Sequence, residues 1–305
     1  MGSKRGEWTL FFLCLAAAGY GLALIYSATR YDPELHSMVA KQGVALAGGV
    51  TVCLVLRVLD VRRLLERLWW LLPPLNAGLL LLLVPFGNDD GTGNRSWLAL
   101  PGGLFNLQPG EVVKVTFLLL LALQLQKQGE KGLNRPKSVV LLLLHVLALC
   151  ALVYGVSGDI GMVAVYLAIY LVMLWSAGMH PLWLLGQVGA GVGAVVLLWS
   201  RLPDYVRQRF LVVFDHDLDP LGTGFQQVRS LLAIGSGQVT GQGYLQGTQT
   251  QSASASALPA RHTDFIFSVA GEELGLVGCL AILALLGAIL LRCVWLARRS
   301  RDPLF

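Results

Sequence analysis

Eight stretches of the chain are each apolar over about the length of a bilayer-crossing helix, and this pattern most constrains the fold. The hydrocarbon core requires about 20 mostly apolar residues per helix, with a working range of roughly 17 to 25. The stretches run Trp8–Ser27, Met38–Val58, Leu68–Phe86, Glu111–Gln126, Ser138–Gly155, Ile160–Ala177, Pro181–Ser200 and Asp264–Leu296. Lys4 and Arg5 precede the first, as in a signal peptide. Its apolar run is too long for an h-region and no small-x-small cleavage site follows, so it reads as a helix. The fourth is the shortest and carries charges. The expectation is an all-α polytopic membrane protein with about eight transmembrane helices.

Composition agrees. Of 305 residues 55% are hydrophobic and 13% charged, and mean hydropathy is +0.64. A soluble domain is about 25% charged. Intrinsic disorder, a disulfide scaffold and an ordinary cytosolic enzyme are excluded. Cys14, Cys53, Cys150, Cys279 and Cys293 all lie in apolar runs without a CxxC, and read as small membrane hydrophobes.

The net charge of +5 invites a nucleic-acid reading. Its placement argues for topology instead. With the N-terminus inside, cytoplasmic segments hold Lys4 and Arg5; Arg57, Arg62, Arg63 and Arg67; Lys127, Lys131, Arg135 and Lys137; and Arg292, Arg298, Arg299 and Arg301. Short outer loops hold only Arg30, Lys41 and Arg95. This is the positive-inside pattern, with both termini cytoplasmic and no nucleic-acid partner. One long outer segment, residues 201–263, joins spans seven and eight. Long loops in compact proteins are functional or disordered, and this one is expected to be partly ordered against the outer membrane face. The chain, 1–305, reads as a single transmembrane domain that includes it.

Ionisable residues in a bilayer are costly, about 2.5 to 3.5 kcal/mol at its centre, and usually face a cavity. Four places stand out. In Gln108-Pro109-Gly110-Glu111-Val112-Val113-Lys114, Pro109 suits a first helical turn. Glu111 and Lys114 then share a face one turn apart. They read equally as an interfacial pair or as a pair lining a polar cavity. Asp159, in Ser157-Gly158-Asp159-Ile160-Gly161, reads as a helix cap or a functional carboxylate. Asp264 opens the last span among aromatic and cationic residues, and reads as a helix cap or as a carboxylate that partial desolvation would suit for a base. Glu272 and Glu273 lie deeper in the same helix and point about 100° apart, so they cannot share a partner face. Two glutamates there imply a helix that begins in a water-filled cavity. Soluble-enzyme templates fail: Gly235-Ser236-Gly237-Gln238-Val239-Thr240-Gly241 is neither GxGxxG nor a P-loop, and no G-x-S-x-G or H-E-x-x-H occurs.

Leu258-Pro259-Ala260-Arg261-His262-Thr263-Asp264-Phe265-Ile266-Phe267, followed by Gly271-Glu272-Glu273-Leu274-Gly275, resembles the SEDS family of peptidoglycan polymerases, which includes RodA and FtsW. Gln108-Pro109-x-Glu111-x-x-Lys114 resembles the family's QPSE-x-x-K, and Asp159-Ile160-Gly161 its D-L-G. Tyr205-Val206-Arg207-Gln208-Arg209-Phe210, then Asp219-Pro220-Leu221-Gly222-x-Gly224-Phe225-Gln226, resembles the start of its large outer loop. The tract Gly247-Thr248-Gln249-Thr250-Gln251 is more similar to RodA than to FtsW. Departures include Gly110 for Ser, Ser157 for Gln, Gly158 for Pro, His216 for Pro and Arg229 for Gln; none removes a charged site residue. The family has ten spans, and set beside it this sequence lacks the last two.

The resemblance implies an inverting peptidoglycan glycosyltransferase of the bacterial inner membrane. It would polymerise lipid II for cell-wall elongation and shape, beside a class B penicillin-binding protein. Asp264 maps onto the family's essential aspartate, as base or as ligand of a divalent metal, Mg or Mn. Glu111 and Lys114 map onto its cavity ion pair. Asp159, Arg207, Arg209, Gln226, Arg261, His262, Glu272 and Glu273 are the expected supporting or substrate-binding residues. A lipid-linked-precursor flippase and a non-catalytic scaffold for the penicillin-binding protein are the alternatives.

Overall fold

A computed structural model of the chain describes residues 4–88, 94–99, 106–201, 207, 211, 223–254 and 257–300. The helices are α1 (Lys4–Thr29), α2 (Ser37–Val58), α3 (Val61–Leu68), α4 (Leu72–Leu81), α5 (Leu83–Phe86), α6 (Pro109–Lys131), α7 (Pro136–Ser157), α8 (Ile160–Ser176), α9 (Pro181–Leu198), α10 (Thr223–Ser236) and α11 (Ile266–Arg299). Among the described residues seven helical segments are long and apolar enough to cross a membrane, and α8 is a shorter apolar helix. These account for the eight expected stretches. The third begins earlier than expected, because Val61–Phe86 forms one broken run in which α3 to α5 follow one another.

Two compact units divide the chain, one from residues 1–54 and 203–303, the other from 55–202. The second unit packs α4 to α8 around a core that recurs every third or fourth residue. Val113, Phe117, Leu121 and Leu125 come from α6, and Met162, Tyr166, Tyr170 and Leu174 from α8, with Leu142, Val146, Leu149 and Val153 from α7. That spacing keeps one stripe of each helix on one side. Outward residues such as Leu144, Leu147, Val172 and Trp175 are exposed and apolar, as a hydrocarbon solvent requires. A three-stranded antiparallel meander, β1 (Gly87–Asn88), β2 (Trp97–Ala99) and β3 (Asn106–Leu107), leads directly into Gln108 at the head of α6.

In the first unit α1 packs against α11 through Leu24, Ala28, Val269 and Ala270, and α10 adds Ala233. Tyr20 donates to the Gly278 carbonyl at 3.2 Å. The last span departs from expectation. Helix α11 breaks at Gly275, whose φ of 65° and ψ of −159° are non-helical. The part from Ile266 to Leu274 is thus a short helix of its own, and Leu276–Arg299 is long enough to span alone. A break frees carbonyls before it and N–H groups after it. Residues 238–243 take both: Gln242 and Gly243 donate to the Glu272 and Glu273 carbonyls at 2.9 and 3.0 Å, while Leu276 and Val277 donate to Gln238 and Val239 at 2.9 and 3.2 Å. The approach is so close that a methyl at Gly241 would collide with the Glu273 carbonyl, and one at Gly275 with the Val239 carbonyl. Glycine is required at both.

Candidate active site

In the second unit the candidate chemistry sits at the head of α6. Pro109 occupies the first turn and Gln108 is the N-cap residue. Lys114 Nζ donates to Glu111 Oε1 at 2.7 Å. The Glu111 side chain is 55% exposed and Lys114 22%, so the carboxylate faces outward and the ammonium lies deeper. The negative charge complements the positive end of the helix dipole.

Helix α6 is held by three neighbours through side-chain hydrogen bonds. The buried Tyr166 hydroxyl donates to the Gly110 carbonyl at 2.7 Å, Thr116 donates to Asn76 Oδ1 at 2.5 Å, and His145 Nδ1 and Gln124 Oε1 are 2.7 Å apart. Phe117 packs edge-on against both His145 and Tyr166. The His145–Gln124 pair was not among the polar positions singled out from sequence, although an imidazole near the middle of an apolar run was the available signal. Asp159 proves to be the N-cap of α8, its Oδ1 accepting from Met162 N at 3.0 Å.

In the first unit Asp264 does not open the helix. It sits in the turn before α11, whose N-cap is Phe265 and which has no side-chain cap. The turn closes on one carbonyl, that of Ala260, which accepts from Thr263 N at 3.1 Å, Phe265 N at 3.2 Å and Thr263 Oγ1 at 3.2 Å. Asp264 is exposed, not desolvated by protein. Among the described residues no group donates a hydrogen bond to its carboxylate or pairs with it. A fixed backbone therefore presents a free carboxylate.

Its neighbours are committed. Arg261, expected to contact substrate, is 5% exposed. Its Nη1 donates to the Gln249 and Thr250 carbonyls, both at 2.6 Å, and its Cζ lies 3.5 Å from the centroid of the Tyr31 ring. Glu272 and Glu273 were expected in a water-filled cavity, yet both are fully buried. Glu272 accepts from Thr248 Oγ1 (3.0 Å), Gln249 N (2.7 Å), Thr250 N (2.8 Å) and Thr250 Oγ1 (2.6 Å). Glu273 accepts from Ser27 Oγ (2.6 Å), Leu245 N (3.1 Å) and Gln251 Nε2 (2.8 Å). The two glutamates do take separate partner sets. Protein donors replace the expected water, because the segment 245–251 folds over the short helix before the break. One peptide group, Gln249–Thr250, gives its N–H to Glu272 and its C=O to Arg261, and so bridges a buried anion and a buried cation.

His262 is partly buried, and its Nδ1 has no hydrogen-bond partner among the described residues. Burial lowers its pKa below the ordinary 6.5, Arg261 lowers it further, and Asp264 opposes both. A histidine held neutral stabilises the fold fully above the unfolded value and loses that contribution as pH falls through it. The thermal midpoint of the detergent-solubilised protein should therefore drop between about pH 7.5 and about pH 5.5, and drop less in His262→Gln. Equal slopes would contradict this placement of the imidazole. Gln226 is partly buried on α10 and Arg207 is partly buried. Arg209 lies outside the described residues.

Residues 8–305 match the model of the FtsW/RodA/SpoVE family, described as cell cycle protein. The chain belongs to this family. It is 33% identical to a probable peptidoglycan glycosyltransferase FtsW of Geobacter metallireducens, over 98% of this chain and 79% of that one. It is 32% identical to the peptidoglycan glycosyltransferase MrdB of Escherichia coli K12, over 96% and 76%. Among solved structures it is similar to a chain from work on the coordination of polymerization and crosslinking by a peptidoglycan synthase complex, with TM-score 0.73 and 31% identity, covering 93% of this chain and 76% of that one. It is also similar to Thermus thermophilus rod shape-determining protein RodA, with TM-score 0.63 and 27% identity, covering 97% and 77%. Relatives named FtsW and MrdB match this chain at similar identity. As a family member with these helices, the chain is a multi-pass protein of the bacterial inner membrane.

Proposed function

We propose that this protein polymerises lipid II into glycan strands on the outer membrane face, with Asp264 as general base. The observation that carries the reading is the exposed Asp264 carboxylate, without a hydrogen-bond or ion-pair partner among the described residues and held on a turn anchored by buried charge, in a family whose relatives are named peptidoglycan glycosyltransferases. Such a transfer turns an α-linked donor into a β-linkage. Asp264 accepts the proton of the attacking sugar hydroxyl as its oxygen bonds to the donor anomeric carbon. The bond from that carbon to the diphosphate breaks, and its electron pair leaves on undecaprenyl diphosphate. General-base assistance of this kind is worth about 10²- to 10⁴-fold.

The leaving diphosphate needs a cation. Lys114 is the candidate, an ammonium at a helix head oriented by Glu111. Arg207 and Arg209 remain candidates by charge and position in the chain, whereas Arg261 acts from behind, on the backbone. Among the described residues no three His, Cys, Asp or Glu side chains gather into a metal-binding group, and every step above uses the chain's own residues. Similarity to a chain of a synthase complex that coordinates polymerization with crosslinking supports a penicillin-binding protein as partner.

Lys114 supplies a test separate from Asp264. Removing one preorganised electrostatic contact costs about 10²-fold in turnover, while a half-exposed ion pair contributes about 0 to 1 kcal/mol to stability. Lys114→Met should thus lose lipid II polymerisation about 100-fold with its thermal midpoint almost unchanged. Wild-type turnover in Lys114→Met would remove Lys114 from the reaction.

A further inference from the structure

We infer that Tyr31 is a positioning residue for this reaction, acting on Asp264 through Arg261; the inference rests on Asp264 being the reacting carboxylate. Tyr31 lies in the connection after α1, far from Asp264 in sequence. Its ring stands 3.5 Å from the Arg261 guanidinium carbon. Arg261 is the residue after Ala260, the single acceptor on which the Asp264 turn closes.

Arg261 is a buried cation, and no carboxylate within 4.0 Å pairs with it among the described residues. Two carbonyl oxygens and one aromatic face compensate its charge. The carbonyls belong to the segment that Glu272 clamps from its other side, so they fix where the guanidinium head sits. The ring is the third contact of the head. A guanidinium over this partly buried ring is held by the ring's negative face, a quadrupole effect that phenylalanine and tryptophan share with tyrosine and an aliphatic residue lacks. Loss of the ring leaves a buried cation short of one ligand. The head then tilts toward water, and the Ala260 turn follows its side chain. A shift of the reacting group on the scale of 1 Å is enough to cost about 10²-fold in rate.

The test is lipid II polymerisation by purified full-length chains, with kcat and KM read separately. Tyr31→Leu should lower kcat about tenfold with KM within about twofold of wild type, and Tyr31→Phe should restore kcat to within about twofold. A purely structural role would need volume only, which leucine supplies nearly as well as phenylalanine. Wild-type kcat in Tyr31→Leu overturns the inference, as does a Tyr31→Phe variant as impaired as Tyr31→Leu. Should Tyr31→Leu fail to yield monodisperse protein, Tyr31→Trp takes its place: near-normal kcat supports the ring's role, and a tenfold loss overturns it. Asp264→Asn run in parallel separates the two readings. An active Asp264→Asn removes the base and the inference together; an inactive one beside a fully active Tyr31→Leu removes only the inference.

Discussion

Asp264→Asn should abolish measurable polymerisation of lipid II, a loss of about 10²- to 10⁴-fold, while leaving the protein as stable as wild type. The two halves of that expectation come from the same geometry. The carboxylate is exposed and has no partner among the described residues, so its removal breaks no hydrogen bond. Surface substitutions of this kind stay within about 0.5 kcal/mol. The turn that carries it closes through backbone groups and Thr263, none of which the substitution touches. An asparagine there is nearly isosteric but cannot accept the hydroxyl proton. The measurement is turnover together with thermal midpoint on the same preparation. A large drop in both would mean that Asp264 supports the fold instead.

Glu272→Ala should behave in the opposite way. Its carboxylate collects four donors from Thr248, Gln249 and Thr250 inside a fully buried site. Deleting it strands the buried Thr250 N–H and hydroxyl, removes the acceptor of Thr248 and Gln249, and leaves Arg261 without its counterpart across the Gln249–Thr250 peptide. Breaking a buried charged network costs about 3 to 5 kcal/mol. The thermal midpoint should fall on the order of 10 °C, and folded yield should fall with it. At a temperature where the variant is still folded, KM for lipid II should stay near wild type, and any fall in kcat would come through the Arg261 anchor that Glu272 clamps. A Glu272→Ala protein of undiminished midpoint would show that the segment over the helix is held by something else.

The contrast marks how much the chain's sequence revealed. The eight spans were legible because length and hydropathy alone define a bilayer helix. The Glu111–Lys114 pair was legible because helical spacing puts the two side chains on one face. Asp159 was legible as a cap, since its position before an apolar run leaves few other local uses. What stayed hidden depends on contacts between distant residues. Gly275 lies in an apolar stretch and looks like any other membrane glycine, yet it ends one helix and starts another. Read as one unbroken helix, the sequence places Glu272 and Glu273 inside the membrane and calls for a water-filled cavity. As a neighbour of Asp264, Arg261 reads in the sequence as a substrate contact, but its charge is taken up by two carbonyls from one segment and a ring from the far end of the chain. Motif order located these residues. Only the fold divides the one that presents its carboxylate from those that hold it in place.

The central claim, that this chain itself makes glycan, is tested most directly by incubating the purified protein in liposomes with labelled lipid II and resolving the products by length. A ladder of glycan strands with release of undecaprenyl diphosphate is expected, absent from the Asp264→Asn control. Movement of lipid II across the bilayer with no ladder, unchanged in Asp264→Asn, would contradict it and favour a transporter; binding of a penicillin-binding protein with neither activity would contradict it and favour a scaffold.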